Sequence, residues 1–249
     1  MSLDVIGLGP GDAALRTPEA EAALAAATDI LGYGPYVARV PPRPGQRRHA
    51  TDNRQELERA RHALELAAEG ARVAVVSSGD AGVFAMASAV FEALEAGPEA
   101  WRALEIRVLP GISAMFAAAA RLGAPLGHDF CAISLSDNLK PWALVERRLR
   151  LAAEAGFVLA LYNPISRARP WQLGRAFALL AETLPGTTPL AFATAISRPE
   201  ERIEIRALAE ADPALADMRT LVLVGSAATR LIPRPGGRPW LYAPRSVPA

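Results

Sequence analysis

Leu3-Asp4-Val5-Ile6 is a short, mostly apolar run that ends in Gly7-Leu8-Gly9-Pro10-Gly11-Asp12. The same grammar recurs twice. Arg72-Val73-Ala74-Val75-Val76-Ser77 ends in Ser78-Gly79-Asp80-Ala81-Gly82, and the strand-like residues 104–109 end in Pro110-Gly111-Ile112-Ser113. Each turn is followed by a stretch with helical composition, predicted over 18–28, 83–95 and 114–122. Thr17-Pro18-Glu19 supplies an N-cap, a first-turn proline and a first-turn acid for the first of these. Three repeats of strand, glycine turn and helix predict an α/β fold with a parallel sheet. Ligands of such sheets gather at the carboxyl ends of the strands.

The turn residues narrow the ligand. Gly7-x-Gly9-x-Gly11 approaches the dinucleotide pattern GxGxxG, but Asp12 stands where the third glycine belongs. A carboxylate there would repel a pyrophosphate, which argues against a nicotinamide or flavin site. No GK[ST] follows, so the phosphate loop of nucleotide hydrolases is absent. Each turn taken singly reads equally well as a tight β-to-α connection. Three on one sheet edge would line a cleft with backbone N–H and C=O groups, suited to a ligand carrying amino, carboxylate and ribose functions.

Outward from these turns, residues 29–32 read as a strand and 33–40 as a helical or irregular piece. Asn53 to Glu56 fits a capping box, opening a helix that stops at Gly70. In the second half, strands are predicted over 131–134, 157–162, 190–196, 202–205 and 220–224, with helices over 142–155 and 171–184. Two strands flanking Arg198-Pro199-Glu200 with no helix between them predict a mixed sheet. The last 17 residues carry five prolines and read as an extended tail. The expected division is 1–121, an N-terminal α/β domain; 122–232, a C-terminal α/β domain; and 233–249, the tail.

Composition excludes several classes. Of 249 residues, 51% are hydrophobic and 21% charged, too apolar for a disordered chain. Lys plus Arg is 27 against Asp plus Glu 26, so no bulk electrostatic grip on nucleic acid is expected. Cys131 is the single cysteine; it forms no internal disulfide and reads as a small core residue. His49, His62 and His128 are not in HxxxH or HExxH spacing, so no metal site is expected. Without a signal peptide or an apolar run of transmembrane length, a cytoplasmic protein with no membrane partner is expected.

The quoted stretches carry a resemblance. GLGPGD (7–12), GYGPYV (32–37), SSGDAGVFAMA (77–87), PGISA (110–114), LGAPLGHDFCAISLSD (122–137) and YNPISRARPWQL (162–173) are similar to the tetrapyrrole methylases. Within that family they resemble most the precorrin-3B C(17)-methyltransferase branch of corrin biosynthesis. GLGPGD and PGISA are shared across the family; SSGDAG, SLSD and YNPxSxxR point to the branch. Phe84 departs from it, standing where the branch often has tyrosine.

The resemblance implies two α/β domains with a cofactor cleft between them, and a homodimer. It implies S-adenosylmethionine as methyl donor, leaving S-adenosylhomocysteine, and a carboxylate-rich tetrapyrrole substrate. The implied reaction methylates carbon 17 of precorrin-3B with ring contraction, giving precorrin-4 in cobalamin biosynthesis. A cobalt-containing factor III substrate, another tetrapyrrole, or a non-catalytic S-adenosylmethionine-binding module are the alternatives. By analogy the cofactor would be held by Pro10, Gly79, Asp80, Ala81, Val83, Ser113 and Ala114, with Tyr162, Ala195 and Gly225 from the second half. Ring contraction requires proton movement, for which Asp137, Lys140 and Tyr162 are the candidates. Asp137 reads equally well as an Asx turn or a cap before Trp142. Arg39, Lys140, Arg147, Arg167 and Arg169 are candidates for a basic substrate rim, and each reads alternatively as a solvated surface residue.

Overall fold

The structure is a computed structural model and describes residues 2–52, 55–166 and 168–246. It divides into two compact units, Met1–Ala114 and Met115–Ala249.

The first unit holds strands β1 (Ser2–Gly7), β2 (Asp29–Tyr33), β3 (Arg47–Thr51), β4 (Arg72–Ser77) and β5 (Glu105–Leu109). Its helices are α1 (Pro18–Ala26), α2 (Gly34–Val37), α3 (Glu56–Ala68) and α4 (Met86–Ala96). The sheet order is β3-β2-β4-β1-β5, with every pairing parallel. Alternate residues of each strand face opposite sides. Leu3, Val5, Leu31, Val73 and Val75 pack with α3 and α4, while Ile6, Ile30, Ala74 and Val76 pack with α1 and α2. Both faces of the inner strands β1, β2 and β4 are covered, which is why these three read as largely apolar runs. The Thr17 hydroxyl caps α1 by accepting from the amide of Ala20 at 3.1 Å.

The second unit begins with α5 (Ala114–Leu122), whose first residue closes the first unit, and β6 (Gly123–Ala124). It continues with β7 (Phe130–Ser134), α6 (Trp142–Glu154), β8 (Val158–Tyr162), α7 (Gln172–Leu180), β9 (Pro189–Thr194), β10 (Arg202–Ala207), β11 (Thr220–Val224), β12 (Arg230–Ile232) and β13 (Trp240–Tyr242). Its main sheet has the order β10-β9-β11-β8-β7. Only β7 and β8 are parallel; β8–β11, β11–β9 and β9–β10 are antiparallel. This is the mixed sheet expected from the sequence. Leu159, Leu161, Phe192 and Val222 face α6 and α7. Ala160, Ala191, Ala193 and Leu223 face α5 and Leu241.

Several expectations change. The division falls at Ala114/Met115 rather than 121/122, because Met115, Ala117, Ala118, Ala119 and Leu122 of α5 join the second unit's core. The tail is not merely extended: β13 pairs with β12 and β6, and Leu241 is fully buried. Helix α4 starts three residues later than predicted, since Phe84 has φ +51° and Ala85 is extended. Strand β3 was not expected. Asn53 of the predicted capping box lies outside the described residues.

Candidate functional site

Strands β4, β1 and β5 are neighbours, so their carboxyl-terminal turns lie side by side. The first two are stitched together. The amide of Leu8 donates to the Ser77 carbonyl at 2.8 Å, Gly9 donates to Gly79 at 3.0 Å, and Gly79 donates back to Gly9 at 2.9 Å. The third packs onto them through backbone. A Cβ added at Gly111 would lie 2.2 Å from the Gly79 carbonyl oxygen, and one at Gly7 would lie 2.7 Å from that oxygen and from the Gly111 amide. No side chain fits at either place, so Gly7 and Gly111 are glycine for contact between backbones.

Gly79 differs. It has φ +67°, and a Cβ there would meet nothing closer than 3.7 Å, at the amide of Ala114 and Cα of Ser113. A methyl-sized opening therefore lies between the 78–82 turn and the first residue of α5. Asp80 ties this edge together: one carboxylate oxygen accepts from the Gly82 amide at 2.7 Å and the other from Gly111 at 3.1 Å. Ser113 and Ala81 are buried, and Val83 is half-buried. Ala81 lends its side chain to the core on the α3–α4 face, so only its backbone is available to a ligand. Pro10 is buried in the first turn. Asp12, which argued against a dinucleotide, caps a short turn by accepting from the Ala14 amide at 2.9 Å.

Arg39 is corrected as a rim residue. Its guanidinium donates to the carbonyls of Leu8 at 3.0 Å, Gly9 at 2.9 Å and Gly11 at 3.3 Å, and to the Ser78 hydroxyl at 3.0 Å. It braces the first two turns from behind. No signal in the sequence connects residue 39 to those carbonyls.

In the second unit, parallel strands β7 and β8 bring two polar loops together. The Asn163 side chain donates to the Ser134 hydroxyl at 2.9 Å, with Asn163 itself at φ +51°. Arg169 donates to the Ser136 hydroxyl at 2.6 Å and pairs with the Asp137 carboxylate at 3.5 Å. The Lys140 ammonium donates to the Ser136 carbonyl at 3.0 Å. Burial pushes the Lys140 pKa down, the nearby Arg148 charge adds to this, and Asp137 opposes it. Asp137, Lys140 and Arg169 thus share one loop cluster. Tyr162 ends the neighbouring strand, and its hydroxyl accepts from the Met115 amide at 3.2 Å. Arg147 is exposed on α6, and Arg167 lies outside the described residues. Asn163 and the Arg169–Ser136 bond were missed; asparagine just past a strand, a residue that tolerates left-handed backbone, was the available signal.

Ala195 and Gly225 are not brought together. Ala195, at φ +50°, bonds its amide to the carbonyl of Arg219, ahead of β11. Gly225 follows the far end of β11, bonded to Pro189 at the start of β9. Six residues of extended chain separate those levels, about 20 Å. Strand-end equivalence fails here because β11 runs against β8. Gly225 is glycine for a local reason: its Cβ would lie 2.7 Å from the Thr229 side chain.

The model of the Tetrapyrrole (Corrin/Porphyrin) Methylases matches residues 2–212. The chain belongs to the tetrapyrrole methylases. It is 58% identical over 244 residues to the precorrin-3B C(17)-methyltransferase of Sinorhizobium sp, covering 98% of this chain and 96% of the relative. A crystal structure of the methyltransferase CobJ superposes with a TM-score of 0.93 at 60% identity, covering 98% and 99% of the two chains. The uroporphyrin-III C-methyltransferase of Thermus thermophilus, in complex with S-adenosylhomocysteine, shares the fold at 22% identity, with a TM-score of 0.66 and coverage of 91% and 98%. This tetrapyrrole methylase is thus an α/β methyltransferase. Among its described residues no helix is long and apolar enough to cross a membrane.

Proposed function

We propose that this tetrapyrrole methylase transfers a methyl group from S-adenosylmethionine to carbon 17 of precorrin-3B, with ring contraction to precorrin-4, in cobalamin biosynthesis. The near-full-length similarity to a precorrin-3B C(17)-methyltransferase carries this reading. Support for the cofactor in the first unit comes from Gly79, which faces the first residue of a nine-residue helix whose N-terminal end favours a carboxylate. Pro10, Gly79, Ala81, Val83, Ser113 and Ala114 would hold it, with Asp80 positioning the turns rather than contacting the ligand. Tyr162 and Ala195 remain candidates in the second unit; Gly225 does not.

When bound, S-adenosylmethionine supplies an electrophilic methyl group on its sulfonium sulfur. The chain's part is to hold the donor and the carbon nucleophile in line, which lowers the barrier by several kcal/mol. Asp137 is the candidate for moving a proton at the macrocycle. Arg169, at its side, would orient substrate carboxylates or hold Asp137 in place. Homodimerisation and a cytoplasmic setting, with no nucleic-acid or membrane partner, belong to the same proposal on the family resemblance alone; light scattering reads the oligomeric state.

The test is incubation with S-adenosylmethionine and either metal-free precorrin-3B or its cobalt-containing counterpart, followed by product mass and absorption spectrum. A methylated, ring-contracted product from the metal-free substrate is expected. Turnover only with the cobalt form would reassign the substrate. Binding of S-adenosylhomocysteine without turnover of either would mark a sensing module.

A further inference from the structure

We propose that His49 and His62 form a binding site for a borderline divalent transition cation such as Zn²⁺, on the outer face of the first unit and apart from the cofactor turns. The two histidines are 13 residues apart and share no metal-ligand spacing. The fold joins them: His49 lies on edge strand β3 and His62 on α3, with His49 Nδ1 and His62 Nε2 3.4 Å apart. Tetrahedral Zn²⁺ with bonds of about 2.0–2.1 Å requires a nitrogen-to-nitrogen distance of about 3.4 Å between two imidazoles.

The outer nitrogen of His49 is supported as that of a metal-bound histidine is. His49 Nε2 lies 2.8 Å from Oδ1 of Asp29, a fully buried carboxylate that also accepts from Arg47 and Thr28. Asp29 is acceptor-only, so the ring proton sits on Nε2 and the Nδ1 lone pair points at His62. On His62, Nδ1 lies 3.9 Å from the Glu65 carboxylate one turn along α3, beyond hydrogen-bond reach, so Glu65 acts on the site through its charge alone. Arg47 offsets the charge of Asp29, and Glu65 adds a carboxylate near His62. Both rings are partly exposed, at 26% and 47% of the side chain, so the cation can enter and keep water on its remaining positions. Among the described residues no group of three or more His, Cys, Asp or Glu side chains converges, so this is a two-ligand, reversible site rather than a structural one.

The experiment is titration of the intact protein with ZnCl₂ in a non-chelating buffer, by calorimetry and by the shift in melting temperature, without substrate or cofactor. One Zn²⁺ per chain is expected. His62→Ala, which places the best helix former on an exposed helix face, should weaken binding at least tenfold and abolish the thermal shift. Glu65→Gln should weaken it by a smaller factor, and His49→Gln should abolish it. Absence of binding by wild-type protein, or undiminished binding by folded His62→Ala protein, would overturn the proposal.

Discussion

Asp80 and Gly111 stand 31 residues apart, yet the carboxylate of one accepts the backbone amide of the other at 3.1 Å. The bond joins the turn after β4 to the turn after β5 across the end of β1, and the second oxygen of Asp80 closes its own turn on Gly82. Asp80→Ala removes both acceptors. A part-buried amide that loses a charged partner costs about 1–3 kcal/mol, and the Gly82 amide, being exposed, adds little. We expect about 2 kcal/mol lost in urea denaturation and at least tenfold weaker S-adenosylhomocysteine binding by calorimetry. An unchanged affinity would show that the spacing of these turns does not matter to the ligand.

Gly79 and Gly111 separate folding from binding. Gly111→Ala drives a Cβ to 2.2 Å from a carbonyl oxygen, which forces backbone to move and costs about 3 kcal/mol. Gly79→Ala makes only ordinary van der Waals contacts, at 3.7 Å and beyond, and pays for its left-handed backbone, about 1–2 kcal/mol. The expected outcome is a folded Gly79→Ala protein that binds S-adenosylhomocysteine poorly, beside a Gly111→Ala protein with a clearly lower melting temperature. Normal binding by Gly79→Ala would move the cofactor elsewhere.

Asp137 faces a cation, Arg169, at 3.5 Å. Asp137→Asn keeps the shape and removes the charge. If Asp137 moves a proton during ring contraction, single-turnover rates at saturating S-adenosylmethionine should fall about 10²–10⁴-fold, with S-adenosylhomocysteine affinity unchanged. An Asx turn would survive the change, because asparagine supports it equally well, and near-normal rates would leave Lys140 and Tyr162 as the candidates.

Glu146 gives a pH signature. Hydrogen bonds from Arg175 at 2.7 Å and Trp142 at 2.8 Å pull its pKa down, against a smaller upward push from burial. The folded-state value lies below the unfolded one, so the contribution is complete above the unfolded value of about 4.3 and is lost as pH falls through the folded value. The site is close to solvent, so the effect stays under about 1 kcal/mol. Glu146→Gln should lower stability at pH 7 and flatten the fall in melting temperature below pH 4. An unaltered acid limb would remove Glu146 from the account.

The sequence made the first unit legible through strands that had to be apolar on both faces. Val73 to Val76 and the glycine turns left little freedom. It did not disclose β3, because Arg47-Arg48-His49-Ala50-Thr51 lies at the sheet edge, and its polar residues are held by Asp29 and backbone carbonyls rather than by burial. Gly225 lies at the opposite edge from Tyr162 because β11 runs antiparallel to β8, and strand direction is a property of pairing, not of composition. A guanidinium announces its charge but not its acceptors, which for Arg39 are carbonyls about 30 residues away.

Such a turn cannot be transplanted as a string of six residues. The loop at residues 7–12 owes its curvature to a fork of hydrogen-bond donors arriving from after α2, so the hexapeptide grafted alone onto another strand–helix junction would arrive without its clamp. Lysine at position 39 would offer a compact ammonium in place of the fork that now meets three carbonyls and a hydroxyl. The heritable unit is therefore larger than the string of glycines, and it includes Arg39.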